Sequence, residues 1–289
     1  MGKGREYQHD FSGTHPKTMF DELGRLQKAR KTVAVILDAL RQAGIDPRET
    51  RLLDIGCSTG ILTRHYAEFF GRVVGIDIDD GAVEWARQNR AADNVTYKIG
   101  DSLNVPFLTG EFDLVTCTHI YEHVPDAQRM LDEIYRVLRP GGLCFFAAEN
   151  RLRWWDGHYN LPLVTVLPGP VANLYLRLTG RGNRRYETHR TLWGLKKLVR
   201  AFDRTDYTRA VVRDPEQFEA TDMVWPGSPK QKAANAILTV AYWASPTYLW
   251  ILRKPAGGTA DHADERRYLF RFGSLRLFIH ELTPSIGLF

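Results

Sequence analysis

Three cysteines in 289 residues leave little material for a disulfide framework. Cys57, Cys117 and Cys144 each lie in or at the end of an apolar, strand-like run; none forms a C-x-x-C pair, and no His/Cys cluster has zinc spacing. Buried, reduced thiols are expected, and with them a reducing, cytoplasmic setting. Residues 1–13 lack the apolar stretch of a secretory signal. Long apolar runs are also scarce. Residues 157–176 and 233–252 carry no charge, but Pro162, Pro168 and Pro170 break the first and Pro246 splits the second. A spanning helix needs about 20 predominantly apolar residues, and neither run fits. What is present, 44% hydrophobic and 25% charged residues, excludes disorder as the main state.

Charge is unevenly placed. Residues 31–150 hold 12 Lys+Arg against 18 Asp+Glu, whereas residues 151–289 hold 21 against 12. An acidic half followed by a basic half points to two jobs, the basic one suited to phosphates, anionic lipid or an acidic substrate; a solvated surface without a partner would carry the same charge.

Apolar periodicity predicts a helix over 17–43, with Val33, Ile36, Leu37 and Leu40 on one face. Strand-like runs at 51–57, 72–77, 94–100, 112–118 and 142–148 then alternate with helix-like runs at 61–70, 81–89 and 126–138. That alternation predicts βαβ units and a mostly parallel sheet with helices on both faces. An aromatic, Pro-, Gly- and Arg-rich insertion follows at 151–187. Beyond it come a helix at 188–202, late strands at 206–213 and 247–254, and a helix near 230–244. The division expected is an N-terminal helical cap (1–45), a main domain (46–254) with the insertion as lid, and a tail (255–289).

The run 52–60, Leu-Leu-Asp-Ile-Gly-Cys-Ser-Thr-Gly, is a strand, a tight glycine-bearing turn and a helix start. In open α/β sheets ligands bind at the carboxyl edge of the strands, where such turns sit. No lysine follows Gly60, so a phosphate-loop nucleotide site is a poor reading. Asp77 ends the second strand, suited to ribose hydroxyls, and Asp101 follows the third, facing an adenine edge. His119 to Val124 follow the fourth, and Pro140-Gly141-Gly142 precedes the fifth. An Asp after a strand is commonly just a turn residue, so it is the ordered set that carries weight.

The chain resembles the class I S-adenosylmethionine-dependent methyltransferases on residues 53–60, Gly75-Ile76-Asp77, Gly100-Asp101, Phe112-Asp113-Leu114-Val115, Glu122-His123-Val124 and residues 138–142. Within them it is most similar to the quinone-biosynthesis type, through residues 122–126 and Asn150-Arg151. The resemblance spans roughly residues 30–215, extending to 254, and implies a Rossmann-like seven-stranded sheet with S-adenosyl-L-methionine as cofactor. It implies that Asp54 and the backbone of Gly56, Cys57, Ser58 and Gly60 orient the methionine moiety. Asp77 with Ile78 would take the ribose, Asp101 with Ser102 the adenine, and His119 would line the site. Ser58 stands where the family usually has a second glycine; retained cofactor binding is still expected.

Methyl transfer to a hydroxyl needs alignment and a general base. His119, His123, His158 and His189 are the candidates, each with a structural alternative as a packed, loop or cap residue. A metal-free site is expected, although Glu122, His123 and Asp126 could gather a divalent cation, since carboxylate oxygens suit Mg²⁺. The insertion should choose the acceptor. Trp154, Trp155, Tyr159 and Tyr175 precede Arg177, Arg181, Arg184 and Arg185, and residues 177–213 hold 11 Lys+Arg against 3 acids. That mixture suits a small or lipid-linked acceptor such as a quinone precursor, a glycolipid sugar or a polyketide, and peripheral contact at the inner face of an anionic membrane. The competing readings are an RNA methyltransferase, disfavoured because no separate RNA-binding module is visible, and a non-catalytic cofactor-binding module.

Overall fold

A computed structural model describes Gly13 and residues 19–257. The cap helix runs over Glu22–Ala43 (α1). Asp21 caps its start by accepting from the Gly24 amide, and left-handed Gly44 (φ 67°) ends it. Residues 17–18 and nearly all of the 255–289 tail lie outside the described residues.

The expected alternation is present as β1 (Arg51–Ile55), α2 (Ile61–Tyr66), β2 (Arg72–Asp77), α3 (Asp80–Asn89), β3 (Val95–Ile99), β4 (Phe112–Thr118), α4 (Ala127–Val137) and β5 (Leu138–Glu149). Two further strands, β8 (Asp203–Asp206) and β9 (Thr247–Arg253), complete one seven-stranded sheet in the order β3-β2-β1-β4-β5-β9-β8. Only β9 runs against its neighbours.

Strand residues alternate between two buried faces, as the pleat requires. Leu52, Leu114, Leu143 and Phe145 pack with Val33, Ile36 and Leu40 of α1. Leu53, Val115, Cys144 and Phe146 pack with Met130 and Ile134 of α4 and with Leu192 and Leu195. All three thiols are buried and free. A part-buried polar knot, in which Tyr207 donates to Asp38 and Gln42 donates to both, ties α1 to the far edge of the sheet.

Two late elements differ from expectation. The run 206–213 is not one strand: pairing stops at Asp206, whose carboxylate caps the Thr208 amide, and Thr208–Arg213 is a helix (α7). Tyr207 and Val211, four apart, bury in the same cluster on α1's side of the sheet, a spacing that either period allows, so the cap at Thr208 is what starts the helix. The helix expected at 188–202 forms only over Leu192–Leu198 (α6), capped by Thr191 rather than Thr188. Residue 190 is held extended by a bridge to Asn150. His189 therefore precedes the helix.

The insertion folds back on itself. Trp155–Asp156 (β6) pairs with Leu161–Pro162 (β7), and Gly169–Leu178 is a helix (α5). The helix near 230–244 is shorter than expected, Pro229–Val240 (α8).

Candidate active site

A cavity of about 480 Å³ opens at the carboxyl edge of β1, β2, β4 and β5, roofed by α1 and the insertion. Its wall at β1 is the 56–60 turn. Gly56 (φ 77°), Ser58 (φ 49°) and Gly60 (φ 73°) all take left-handed backbone. A Cβ on Gly56 would stand 2.2 Å from Cδ1 of Ile120, so a side chain there would have to displace Ile120 as well as strain the backbone. The Ser58 amide donates to Asp77 Oδ2 (2.7 Å) and the Asp79 amide to Oδ1 (3.0 Å). Burial pushes the Asp77 carboxyl up, opposed by these amides.

Asp54 lies behind the turn, its oxygens accepting from Thr63 and Thr116 (both 2.6 Å). Burial outweighs those hydrogen bonds and raises it to about 6 from 3.8. A carboxyl raised on folding favours the fold when protonated, fully below its unfolded pKa, and loses that contribution as pH climbs through the folded one. Between pH 4 and 7 wild type should therefore lose up to about 3 kcal/mol that Asp54→Asn does not lose. Urea titrations of both proteins across that range test this; parallel pH profiles would refute it.

The opposite wall holds the histidines. His119 ends β4 in left-handed backbone (φ 57°), its amide donating to Ala147. Its Nδ1 lies 3.8 Å from Glu122 Oε1 and 4.0 Å from Glu149 Oε1. Burial lowers this imidazole to about 4 and His123 to about 3, so both are neutral at pH 7, well below the ordinary value of 6.5. His158 behaves oppositely. Burial would lower it, but a hydrogen bond donated to Asp156 and the charge of Glu187 and Glu149 raise it to about 9. Glu122 is buried and pushed up to about 8, first by desolvation and then by Glu149. Glu149 is held well below the carboxylate range: His189, His119 and Arg153 together outweigh its burial.

The cavity wall gathers Asp54, Gly56, Ser58, Asp77, Ile78, Ser102, His119, His123 and His158 of the residues singled out from sequence. Four others stand off it. Cys57 is buried against Gly75. Gly60 turns the chain beneath Tyr97. Asp101 caps its own loop, accepting from the Leu103 amide. His189 sits behind Glu149, with Nε2 3.0 Å from Oε2. Sequence reasoning missed Met19, Arg25, Lys28, Glu149 and Arg153, all on the wall. Glu149 carried a usable signal, its place at the carboxyl end of a central strand. Arg25 and Lys28 carried only an i, i+3 spacing on α1 that many solvated helices share. Among the described residues, three His/Glu groups are spaced to hold a metal ion, including Glu149–His158–His189.

Residues 53–146 match the methyltransferase domain family. A ubiquinone biosynthesis O-methyltransferase of Coxiella burnetii is 33% identical over 105 residues, covering 35% of this chain and 44% of the relative. A demethylmenaquinone methyltransferase of Symbiobacterium thermophilum is 38% identical over 126 residues, covering 40% and 50%. The chain thus spans about half the length of these relatives. Among solved structures, a chain from the complex of the Haloferax volcanii Trm112 methyltransferase activator with a methyltransferase superposes with a TM-score of 0.50 at 17% identity, covering 86% of this chain and 99% of that one. That likeness concerns the fold. With the seven-stranded sheet and the turn at its carboxyl edge, these matches place a methyltransferase domain at residues 53–146, similar in sequence to that of quinone-biosynthesis methyltransferases.

Proposed function

We propose that this chain transfers a methyl group from S-adenosyl-L-methionine to a hydroxyl oxygen of a small or lipid-linked acceptor. The observation that carries the reading is one cavity with two chemically different ends: the 56–60 turn with Asp77 at one, and a histidine–carboxylate wall at the other. The residues fit the cofactor. Each Asp77 oxygen already accepts one amide and has a lone pair left for a ribose hydroxyl. Ile78 and Ser102 border the adenine end, and Arg25 and Lys28 supply positive charge for the methionine carboxylate. Bound there, the cofactor supplies an electrophilic methyl on a sulfonium.

The chain's own work is alignment and proton removal. Holding the acceptor in line can contribute about 7–11 kcal/mol. His119 is the base. Its buried Nδ1 faces Glu122 and Glu149, which leaves Nε2 to take the acceptor's proton. The resulting imidazolium lies beside ionised Glu149. The left-handed backbone at a non-glycine residue is local strain of the kind that gathers at functional sites. His158, raised to about 9 by Asp156, Glu187 and Glu149, is not the base.

Asp77→Ala should weaken S-adenosylmethionine binding about tenfold or more, since hydrogen bonds to a charged group contribute about 1.5–3 kcal/mol each. Calorimetry with S-adenosylmethionine reads this directly, and unchanged affinity would remove the cofactor assignment. Label transfer from S-adenosylmethionine to a lipid extract, a small-metabolite pool and RNA tests the acceptor class; transfer to RNA alone would replace this reading by the nucleic-acid one.

Among the described residues no helix is long and apolar enough to cross a membrane. Peripheral contact is a different matter. On α5, Val171, Leu174 and Leu178 are exposed while Ala172 and Leu176 are buried. Arg177, Arg181 and Arg184 are exposed beside them. Arg185, expected with them, instead turns inward to the carbonyls of Val164, Thr165 and Leu167. An apolar strip flanked by cations suits an anionic bilayer, each cation contributing about 1 kcal/mol. The protein should co-sediment with anionic vesicles at low salt and be released by high salt or by Leu174→Asp with Leu178→Asp. Retention in the supernatant with both anionic and neutral vesicles would end this idea.

A further inference from the structure

We infer that Glu149, His158 and His189 form a divalent transition-metal site, best suited to zinc, on the acceptor side of the cavity. The three ligating atoms lie within 4.8 Å of one another. His189 Nε2 and Glu149 Oε2 are 3.0 Å apart, and two ligands of a tetrahedral zinc ion at ~2.0–2.1 Å are separated by roughly 3.3 Å. The His158 and His189 rings have centroids 6.2 Å apart. A ring bound at ~2.1 Å places its centroid roughly 3.2 Å from the ion, so both rings can share one with a small shift.

The surroundings support a ligand rather than a plain ion-pair cluster. His158 turns Nδ1 toward buried Asp156 (3.4 Å), leaving Nε2 for an ion; a carboxylate behind a histidine is the usual outer support of a metal ligand. Asp156 is itself held in place behind the ring, its Oδ1 accepting from the amides of His158 (2.7 Å) and Tyr159 (3.2 Å). The scaffold is firm. Tyr121 donates to the Glu149 carbonyl and accepts from the Arg190 amide, which clamps the ends carrying Glu149 and His189 together. Arg153 ion-pairs with the same oxygen, Glu149 Oε2, so an ion bound there displaces the guanidinium. His158 and Glu149 line the cavity, so two histidines and one glutamate leave an open coordination position facing it, as catalytic zinc sites do. An acceptor oxygen bound there would lose its proton to His119 more readily. That role rests on the proposed methyl transfer, whereas binding of the ion does not.

The test uses the full chain, stripped with chelator and titrated with Zn²⁺ by calorimetry, with Co²⁺ as the visible-absorption probe. One equivalent of Zn²⁺ should bind with micromolar or tighter affinity. Co²⁺ should give the absorption of a low-coordinate histidine site, and X-ray absorption of the zinc form should count two imidazoles. Asp156→Asn should weaken binding by roughly 10–100-fold. His158→Asn and His189→Asn should weaken it further, with circular dichroism checking that each variant is folded. No zinc uptake by wild type, or uptake unchanged in the two histidine variants, overturns the site. Loss on Glu187→Gln but not on Glu149→Gln also overturns it, because the ion would then sit on His123, His158 and Glu187. S-adenosylhomocysteine affinity, measured on the same samples, separates the two readings: cofactor binding without zinc uptake removes the ion and leaves the methyltransferase.

Discussion

Replacing His119 with asparagine is expected to lower kcat by about 10²–10⁴-fold, the usual range for a positioned general base. Asparagine is the informative choice. It tolerates left-handed backbone better than most residues, so the φ of 57° at the end of β4 and the amide bond to Ala147 should survive. It cannot accept and carry the proton. S-adenosylhomocysteine affinity by calorimetry should stay within about twofold of wild type, because a base acts on the acceptor and contributes little to the ground-state cofactor complex. Label transfer to the acceptor pool that wild type methylates gives the rate. Equal turnover in variant and wild type would remove His119 as base. His123, also neutral at pH 7 and also on the cavity wall, would then stand next.

The second large effect concerns stability and lies away from the chemistry. Trp250 is fully buried in the middle of β9, the one reversed strand, between Phe146 on β5 and Asp206 on β8. It stacks on Tyr248 at 5.4 Å, lies 6.3 Å from Phe146, carries Arg204 over its face at 4.6 Å, and donates Nε1–H to Tyr242. Trp250→Ala leaves a large cavity and strips these partners, so unfolding free energy should fall by about 3–5 kcal/mol. A urea titration with unchanged slope but a lower midpoint is the expected record. Trp250→Phe, which keeps most of the volume and loses the hydrogen bond, should lose less than half as much. A loss below about 1 kcal/mol for the alanine variant would mean the edge repacks freely. S-adenosylhomocysteine affinity of the folded alanine variant should match wild type, since Trp250 is not on the cavity wall.

Much of the fold was legible in the sequence, and for a local reason. A strand buried on both faces must be apolar along its length, and an amphipathic helix must repeat every three to four residues. The five central strands and the helices between them therefore announce themselves within windows of about ten residues. The 52–60 turn is equally local: Gly56 and Gly60 occupy left-handed backbone, and a side chain on Gly56 would have to displace Ile120. Short apolar stretches were less legible. Residues 208–213 read as strand and are helix, because six residues with two valines satisfy either period. The end of pairing at Asp206, whose carboxylate caps the Thr208 amide, decided between them.

The sequence alone determined the sheet's first five strands, the turn at the carboxyl edge of the first and the acidic residue ending the second, since each depends on neighbours close in the chain. Only the tertiary structure decided which side chains share the cavity. Arg25 and Lys28 enter it from α1, Glu149 from the end of β5, and Arg153 and His158 from the insertion. It also withdrew Cys57, Asp101 and His189 from the wall and set His119 low and His158 high among four histidines indistinguishable by composition. Glu149 and His189, 40 positions apart, meet within hydrogen-bonding distance because Tyr121 and the bridge at Asn150 hold their segments together. Residue types at a distance carry no spacing rule; burial, charge and coordination arise where the chain returns to the same place, and that is a property of packing.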